Sequence, residues 1–311
     1  MQNILIVGLG AIGAIYASIF YDKKLNLKIL VDENRLERYK KEKTVINNRE
    51  YDFEYILPND NFKPDLILIA VKSDGFSWAK NNIKNFIGKD TIIMSLLNGI
   101  TSEDELFELY PKANILHSFY IGVASVRNGR NITFRGYGNL VFGAIDKRFL
   151  PYQNSAQKLF DKCDINYVIS PDIKFDMWRK LMLNVALNEV TAGYNLNYGA
   201  LQESPKALNL CENLMKEVQA LAKFEGVEIT ESAKQEGMNI VMKQVPSAET
   251  SMLQDVKAGR KTEVDAFAGE VIKRAEKYGL DVPYCREIYT LIKDKEKSFT
   301  QWKALDFSSA L

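Results

Sequence analysis

The chain has little histidine and little cysteine: 311 residues include one histidine and three cysteines. A zinc site built on two or three histidines is therefore excluded. The cysteines, at positions 163, 211 and 285, do not have the spacing of a metal-ligand or redox motif, and no metal site is expected. Three unpaired thiols are typical of a reducing compartment, which predicts a cytoplasmic protein.

An excess of charge of either sign is also lacking, since 41 basic residues oppose 40 acidic ones and the formal net charge is +1. A nucleic-acid-binding protein usually carries a basic excess on one face, so no nucleic-acid partner is expected. Residues 4–20 form an apolar run, but no basic residue precedes it as in a signal peptide. Three glycines divide the run into a strand-like and a helix-like half. We therefore interpret it as folded protein and expect no membrane partner.

The length of the chain favours two domains, because single hydrophobic cores rarely grow beyond about 250–300 residues. Strand and helix signals alternate through the first half, which is typical of a doubly wound parallel α/β sheet of the Rossmann type. From about residue 172 helical periodicity dominates and strand signals nearly vanish. The prediction is a Rossmann domain over residues 1–170 and an all-helical domain over residues 171–311.

Apolar runs and turn residues place the individual elements. The predicted parallel strands are Ile4–Val7, Lys28–Val31, Leu66–Val71, Thr91–Leu97 and Asn114–Tyr120. Helices are expected at 11–21, 33–43, 75–86 and 102–109. Residues 131–145, rich in glycine and aromatics, predict an antiparallel hairpin at the sheet edge, and 165–169 a last strand. In the second half a helix is predicted over 205–226, and Thr262 with Asp265 predicts the capped start of another.

Six residues between the first predicted strand and helix fit the pattern G-x-G-x-x-G: Gly8, Leu9, Gly10, Ala11, Ile12 and Gly13. Gly8 permits a tight turn, Gly10 lets the backbone approach a pyrophosphate, and Gly13 lets helix and strand pack closely. The helix N-terminus then offers unpaired N–H groups to the phosphates. The pattern predicts a dinucleotide site, and the alternative is a glycine-rich turn without a ligand.

The end of the second predicted strand carries opposing signals about the dinucleotide. Asp32 lies 24 residues after Gly8, close to the usual offset of about 20. A carboxylate there can accept hydrogen bonds from the ribose 2′-hydroxyl of NAD, whereas Arg35, one turn on, could receive the 2′-phosphate of NADP. Asp32 could also do no more than cap the following helix. The sequence therefore predicts NAD(H) or NADP(H) and leaves the choice open.

Lys180, Asn184 and Asn188 are spaced i, i+4, i+8 and share one face of a predicted helix, with a drift of about 40° per step. Apolar residues surround them, which predicts a buried helix whose polar stripe needs partners. One interpretation is a structural hydrogen-bond network between helices. The other is a substrate site, in which the ammonium donates a proton to a keto oxygen and the amides donate to a carboxylate.

The glycine motif together with four further segments resembles the ketopantoate reductase family. The segments are Val71-Lys72, Leu97-Asn98-Gly99, the stretch from Trp178 to Asn188, and Ser251–Asp255 with Thr262–Asp265 downstream. They occur in family order over essentially the whole chain. The resemblance implies NAD(P)H-dependent reduction of 2-dehydropantoate to (R)-pantoate by hydride transfer, in pantothenate biosynthesis.

The same resemblance implies roles for individual residues. The lysine that matches Lys180 protonates the substrate carbonyl as general acid, and the glutamate that matches Glu263 assists it. The residues that match substrate-binding positions are Asn184, Asn188, Ser251 and Asn98. Those that match cofactor-binding positions, besides the glycine motif with Asp32 and Arg35, are Lys72, Asn98 and Glu263.

On local grounds alone, several of these residues have an ordinary interpretation. Glu263 and Ser251 would be N-terminal helix residues, where a carboxylate or hydroxyl is common. Lys72 would be a solvated lysine and Asn98 part of a turn, although both follow strands at the edge where doubly wound sheets bind ligands. His117 lies within a predicted strand and is expected to line the core or a cleft rather than to act in catalysis.

Two positions depart from the family pattern. Asp32 stands where family members typically carry an arginine suited to NADP. Members that prefer NAD tend to be D-2-hydroxyacid dehydrogenases, so an NAD-dependent enzyme of that kind acting on another 2-keto acid is an alternative. Glu189 follows Asn188, where proline or another small residue is often found.

An alternative of another class is a non-catalytic dinucleotide-binding regulator on the same scaffold. Such a protein has no need for the aligned lysine and the distant glutamate, so the presence of Lys180 and Glu263 favours an enzyme. The expected partners are a small 2-keto acid and, in a homodimer, a second copy of the chain.

Overall fold

The computed structural model describes residues 1–122 and 124–308. Its contacts divide the chain into two compact units, Met1–Lys174 and a second that begins at Phe175, whereas the boundary was predicted at residue 170. In the described part of the chain, no helix combines the length and apolar character that a membrane span requires. The α/β first unit and the helical second unit confirm the predicted fold class.

The first unit contains all the strands of the described residues. They are β1 (Asn3–Val7), β2 (Asn26–Leu30), β3 (Thr44–Ile46), β4 (Arg49–Tyr51), β5 (Tyr55–Ile56), β6 (Leu66–Ile69), β7 (Ile92–Ser95), β8 (Asn114–Ile121), β9 (Ala124–Asn128), β10 (Asn131–Arg135), β11 (Asn139–Gly143) and β12 (Tyr167–Ile169). Its helices are α1 (Ala11–Asp22), α2 (Glu33–Lys41), α3 (Ser73–Asn82), α4 (Ser102–Leu109) and α5 (Leu150–Lys162).

The main sheet has eight strands in the order β12-β11-β8-β7-β6-β1-β2-β5. Five of its strands correspond to the five predicted parallel strands, and β1, β2, β6, β7 and β8 all pair in parallel. Strands β6 and β7 are buried along their whole length, as expected for continuous apolar runs covered on both faces. The strand order reverses between β1 and β6, and ligands of doubly wound sheets bind at that point, beyond the carboxyl ends of the strands.

The predicted hairpin over residues 131–145 is wrong. Strand β10 pairs with β9 and β3 in a separate four-stranded sheet, whereas β11 pairs antiparallel with β8 in the main sheet. Between them, Gly136 and Gly138 both have positive φ, at 67° and 56°. These glycines turn the chain from one sheet to the other, so the two strands do not meet.

The short strands β3, β4 and β5 were not predicted. Strands β3 and β4 pair antiparallel with Ile46 opposite Arg49. The two residues between them, Asn47 and Asn48, have φ of 48° and 65°, as in a tight hairpin turn. Asparagine adopts this left-handed conformation more readily than most residues. The Asn47-Asn48 pair was therefore the signal in the sequence that could have located the hairpin.

The second unit is helical throughout its described residues. Its elements are α6 (Ile173–Leu183), a π-helix (Asn184–Asn188), α7 (Glu189–Tyr194), α8 (Tyr198–Gln202), α9 (Pro205–Phe224), α10 (Glu231–Met242), α11 (Ser251–Lys257), a 3-10 turn (Val264–Ala266), α12 (Ala268–Lys277) and α13 (Pro283–Ser308). Helix α9 begins as predicted, with the Ser204 hydroxyl accepting from the Ala207 N–H. Its buried residues recur at helical spacing and face the core of this unit: Cys211, Leu214, Met215, Val218, Leu221 and Ala222.

The helix predicted to begin at Thr262 is wrong. The backbone N–H and the hydroxyl of Thr262 both donate to Glu296 on α13, at 2.7 Å each. Only a 3-10 turn follows, because Phe267 interrupts the helical backbone at φ −108° and ψ −98°. Helix α12 then starts at Ala268. The Thr262 hydroxyl still accepts locally, from the Val264 N–H at 3.3 Å, so it caps the 3-10 turn instead of an α-helix.

Candidate active site

The loop after β1 has the close packing that the glycine motif requires. Gly8 has φ of 100°, and a Cβ there would lie 2.7 Å from Val71 Cγ1 and 2.8 Å from the Ala70 carbonyl oxygen. A Cβ at Gly13 would lie 2.0 Å from the Gly8 carbonyl oxygen. Larger residues at either position would push the loop away from the sheet or from α1.

Gly10 differs from these two glycines because the space beside it is open. A Cβ at Gly10 would meet only the Ala70 carbonyl oxygen, at 3.8 Å. Gly10 is also the N-cap of α1, where no side chain caps the helix and no acidic residue lies in the first turn. The first N–H groups of a helix have no partner within it. The open space and the uncapped N-terminus suit an anionic phosphate, so this loop fits a dinucleotide.

Asp32 and Arg35 bind each other. Asp32 caps α2, with one carboxylate oxygen accepting from the Arg35 N–H at 2.7 Å. The other oxygen accepts from Arg35 Nη1, also at 2.7 Å. Asp32 therefore does cap the helix, as one interpretation of the sequence held, and it also neutralises the guanidinium next to it. Its oxygens retain further lone pairs for a ribose hydroxyl.

Two further predicted residues lie at the same edge of the main sheet. Lys72 is the exposed N-cap of α3, three residues after β6, and Asn98 is half-buried three residues after β7. Because β1, β2, β6 and β7 are adjacent and parallel, their carboxyl ends share one edge. The fold thus brings Lys72, Asn98, the glycine loop and Asp32 to the edge where a dinucleotide binds in such sheets.

Glu103 is a buried acid near this edge that the sequence did not reveal. It lies in the first turn of α4, where its carboxylate accepts from the Ser102 hydroxyl at 2.8 Å and from the Ser118 N–H at 3.4 Å. Only 1% of the residue is exposed. Burial raises the pKa of Glu103 from 4.5 to about 7. In sequence it is one of three consecutive acids, 103–105, and nothing local separates it from its neighbours.

His117 has the packing role expected of it. Its ring lies 5.9 Å from that of Phe107, and its Nδ1 has no hydrogen-bond partner among the described residues. Burial lowers the pKa of His117 to about 4, so the ring is neutral at neutral pH. The three cysteines are free and buried. Within residues 1–122 and 124–308, no group of three or more potential ligands could hold a metal ion.

In the second unit, Lys180 lies on α6 and is half-buried, as are Asn184 and Asn188 on the π-helix that follows. Asn188 Nδ2 donates to Asn184 Oδ1 at 3.1 Å, so the two amides lie side by side. The prediction of one continuous α-helix is wrong at this segment. A π-helix pairs residue i with i+5, is rare, and often marks a functional site.

Side chains from neighbouring helices stabilise the carbonyl groups of the π-helix. The Thr191 hydroxyl contacts the Leu187 and Asn188 carbonyl oxygens at 2.7 and 3.1 Å. The Cys211 thiol donates to the Ala186 carbonyl oxygen at 3.2 Å. The Thr191 contacts are local, to the residues four and three positions earlier, whereas the Cys211 contact comes from α9, 25 positions away. Because the second contact depends on tertiary packing, the sequence pattern alone favoured an ordinary α-helix.

A directed chain of hydrogen bonds orients the two amides. Asn188 Oδ1 accepts from the Met252 N–H at 3.4 Å and from the Ser251 hydroxyl at 3.1 Å. A backbone N–H can only donate, so the amide oxygen of Asn188 must face α11 and its nitrogen must face Asn184. Asn184 in turn presents its oxygen to Asn188, which leaves its amide nitrogen to donate elsewhere.

The structure brings Asn184, Asn188 and Ser251 together, and Lys180 precedes them by one turn of the same helical run. Glu263 lies on a different segment. It is half-buried at the start of the 3-10 turn before α12.

The chain matches two family models. The model described as ketopantoate reductase PanE/ApbA matches residues 4–147, and its C-terminal counterpart matches residues 172–296. A 2-dehydropantoate 2-reductase of Aquifex aeolicus is 29% identical over 307 residues, which covers 95% of this chain and 97% of that protein.

Solved structures share the fold at low sequence identity. A D-mandelate dehydrogenase in complex with NADH and anilino(oxo)acetate has a TM-score of 0.83 and 23% identity, with 96% of this chain and 99% of that chain covered. A dimeric ketopantoate reductase from Staphylococcus aureus has a TM-score of 0.77 and 20% identity, with 95% and 99% covered. The two family models together match most of the sequence, and the chain therefore belongs to the ketopantoate reductase family and is an NAD(P)H-dependent oxidoreductase.

Proposed function

We propose that the chain reduces 2-dehydropantoate to (R)-pantoate, as in pantothenate biosynthesis. The bound dinucleotide would supply the hydride. The observation that carries the proposal is the directed hydrogen-bond chain from Ser251 and Met252 through Asn188 to Asn184. It leaves the Asn184 amide nitrogen as a neutral donor, one helical turn from Lys180, and such a donor suits the carboxylate or hydroxyl of a small 2-keto acid.

Each predicted site residue of the second unit has its own role in this proposal. Lys180 donates the proton to the carbonyl oxygen of the substrate as negative charge develops there. Asn184 binds the substrate directly, while Asn188 and Ser251 hold Asn184 in its donating orientation. Glu263 assists the lysine. In the first unit, the glycine loop and Lys72 would bind the dinucleotide, and Asn98 would line the site at the same sheet edge.

NADH is the coenzyme that the site favours in this proposal. The positive charge of Arg35 is already paired with Asp32, at 2.7 Å. A 2′-phosphate would have to displace that carboxylate and would be repelled by it. The ribose 2′-hydroxyl of NADH meets no such obstacle, because it can donate to Asp32.

The same acid–arginine pair favours a second candidate function. An NAD-dependent D-2-hydroxyacid dehydrogenase acting on another 2-keto acid would keep the same proton donor and hydride transfer and differ only in its substrate. A third hypothesis is a non-catalytic dinucleotide-binding regulator, which would bind the dinucleotide without turning over a 2-keto acid. A homodimer and a cytoplasmic location stay predictions.

Replacement of Lys180 tests the proposed acid. We expect Lys180→Ala to lower kcat for 2-dehydropantoate by at least about 10²-fold, the usual contribution of a positioned proton donor. Steady-state assays with NADH would measure it, and nicotinamide fluorescence should show dinucleotide affinity changed less than about twofold, because the glycine loop supplies the phosphate contacts.

The matched control is Lys206→Ala, which removes an exposed lysine from the first turn of α9. Its kcat should equal that of the unmodified protein. If Lys180→Ala turned over substrate as fast as this control, Lys180 would not be the acid. Absence of turnover in the unmodified protein with every 2-keto acid, despite dinucleotide binding, would favour the regulator.

A further inference from the structure

Glu189 follows Asn188 directly and is the first residue of α7. The side chain is 0% exposed. Its Oε1 accepts from the Ala268 N–H at 2.8 Å. Its Oε2 has no hydrogen-bond partner among the described residues. A fully buried carboxyl beside a proposed substrate residue is not explained by the reaction described above.

The surroundings of Glu189 favour its neutral form. In the described part of the chain Glu189 forms no ion pair. Burial raises its pKa well above the usual value, and the Ala268 N–H opposes this only in part. An ionised carboxylate without a compensating charge is very costly in a protein interior. Protonation removes that cost and keeps Oε1 as an acceptor.

The titratable groups that face this region come from three packed helices. The buried ones are Cys211 and Glu217 on α9, Asp255 on α11 and Cys285 on α13. Three of them have their own partners: Cys211 the Ala186 carbonyl, Glu217 the N–H groups of Tyr284 and Cys285, and Asp255 the guanidinium of Arg260. Burial, and then the nearby Glu189 and Glu217, raise the pKa of the Cys285 thiol, which hydrogen-bonds to Glu217. The half-buried Lys295 of α13 donates to the Ala192 carbonyl oxygen at 3.1 Å. None of these groups supplies a cation to Glu189.

The bond from Ala268 to Glu189 joins two parts of the proposed site. Ala268 is the first residue of α12, whose N-cap Phe267 provides no side-chain cap. Glu263 is the N-cap of the 3-10 turn before it. Glu189 therefore acts as the missing cap of α12 from another helix. It links the backbone five residues after Glu263 to the residue next to Asn188.

We propose that Glu189 is a positioning residue that fixes the turn bearing Glu263 relative to the π-helix bearing Asn188. The assignment rests on the proposed function for its effect on turnover. The carboxyl itself touches neither substrate nor dinucleotide in this proposal. A proline or small apolar side chain at this position could not accept the Ala268 N–H.

Two substitutions separate the hydrogen bond from the volume of the side chain. Glu189→Gln keeps the acceptor and the size, and we expect kcat/KM for the 2-keto acid to stay within about twofold. Glu189→Leu keeps the approximate size but removes the acceptor, and we expect kcat/KM to fall about tenfold, because small misplacements of catalytic groups are costly. Dinucleotide affinity, measured by nicotinamide fluorescence, should change less than about twofold in both.

The control Glu203→Gln alters an exposed glutamate of the same unit and should change nothing. If Glu189→Leu folded and kept full kcat/KM, the positioning role would be overturned.

Thermal unfolding across pH tests Glu189 independently of any activity. A carboxyl whose folded pKa is raised stabilises the fold below its unfolded pKa and loses that contribution as pH rises. The Tm of the unmodified protein should therefore fall relative to that of Glu189→Gln as pH rises above the unfolded pKa of about 4.5. If the Tm of the two proteins varied with pH in parallel, the assignment of Glu189 as a protonated, neutral acid would be overturned. If no 2-keto acid were turned over, the proposed function would fail while this measurement still decided the state of Glu189.

Discussion

At the scale of single residues, burial decides which acidic side chains carry unusual properties. Glu103 and Glu108 lie on the same helix, α4, and are the same residue type, but Glu103 is 1% exposed and Glu108 is exposed. Burial raises the pKa of Glu103 to about 7. The hydroxyl of Ser102 and the N–H of Ser118 stabilise its charged form without cancelling the cost of burial.

Glu103 should therefore make stability depend on pH near neutrality. Its contribution is present below the unfolded pKa of about 4.5 and is lost as pH rises through about 7. We expect the unfolding free energy of the unmodified protein to fall by up to about 3 kcal/mol relative to Glu103→Gln between pH 5 and 8. Denaturant titrations at several pH values would measure it. The unfolding free energy of Glu108→Gln should vary with pH as that of the unmodified protein does. If the unfolding free energy of Glu103→Gln also varied in that way, Glu103 would not be protonated in the folded protein.

At the scale of elements, packing overrides several local signals. The run from Lys180 to Asn188 has the periodicity of an α-helix, yet its second half is a π-helix. Hydroxyl and thiol donors from Thr191 and Cys211 bind its carbonyl groups. The glycine loop shows the opposite case, since the conformation that its pattern predicts is the one observed. Gly8 and Gly13 have no room for a Cβ, whereas the space beside Gly10 is open.

Alanine at two positions of the glycine loop should have different effects. Gly13→Ala puts a Cβ where the Gly8 carbonyl oxygen lies, 2.0 Å away, and should lower the Tm by several degrees. Gly10→Ala meets nothing closer than 3.8 Å and should leave the Tm unchanged, but its methyl group would occupy the approach of the pyrophosphate and weaken NADH binding at least about tenfold. Calorimetry and fluorescence titration would measure the two quantities. Equal loss of stability in both variants would contradict this division of roles.

At the scale of the whole molecule, both units carry parts of the family pattern. The glycine loop, Asp32, Arg35, Lys72 and Asn98, predicted to bind the dinucleotide, lie in the unit Met1–Lys174. The other predicted site residues lie in the unit that begins at Phe175: Lys180, Asn184, Asn188, Ser251 and Glu263. Membership of the family follows from models that match both units. The family alone does not choose the 2-keto acid, and Asp32 is the residue that bears on the choice of coenzyme.

A screen of 2-keto acids with both coenzymes should distinguish the two hypotheses about the enzyme's substrate. We expect kcat/KM with NADH to exceed that with NADPH by at least about tenfold, because Asp32 repels a 2′-phosphate. For the leading proposal, 2-dehydropantoate should exceed other branched 2-keto acids in kcat/KM. If kcat/KM for 2-dehydropantoate were no higher than for other branched 2-keto acids, the D-2-hydroxyacid dehydrogenase hypothesis would replace the leading proposal. Tighter binding of NADPH would show that Arg35 outweighs Asp32.

The sequence by itself determined the parts of this protein that depend on neighbours in the chain. The five parallel strands, the glycine loop and the polar stripe at 180, 184 and 188 follow from local pattern, because apolar period, turn residues and helical spacing act over a few positions. Residues 131–145 were misassigned because strand pairing joins distant segments.

Only the tertiary structure decided which groups are buried and what they bind. The π-helix and the burial of Glu103 and Glu189 could not be read from the sequence. Glu189 and Ala268 are 79 residues apart in the chain and 2.8 Å apart at their hydrogen bond. The physical reason is that desolvation and hydrogen bonding depend on every atom nearby, and folding places those atoms from segments that no local pattern connects.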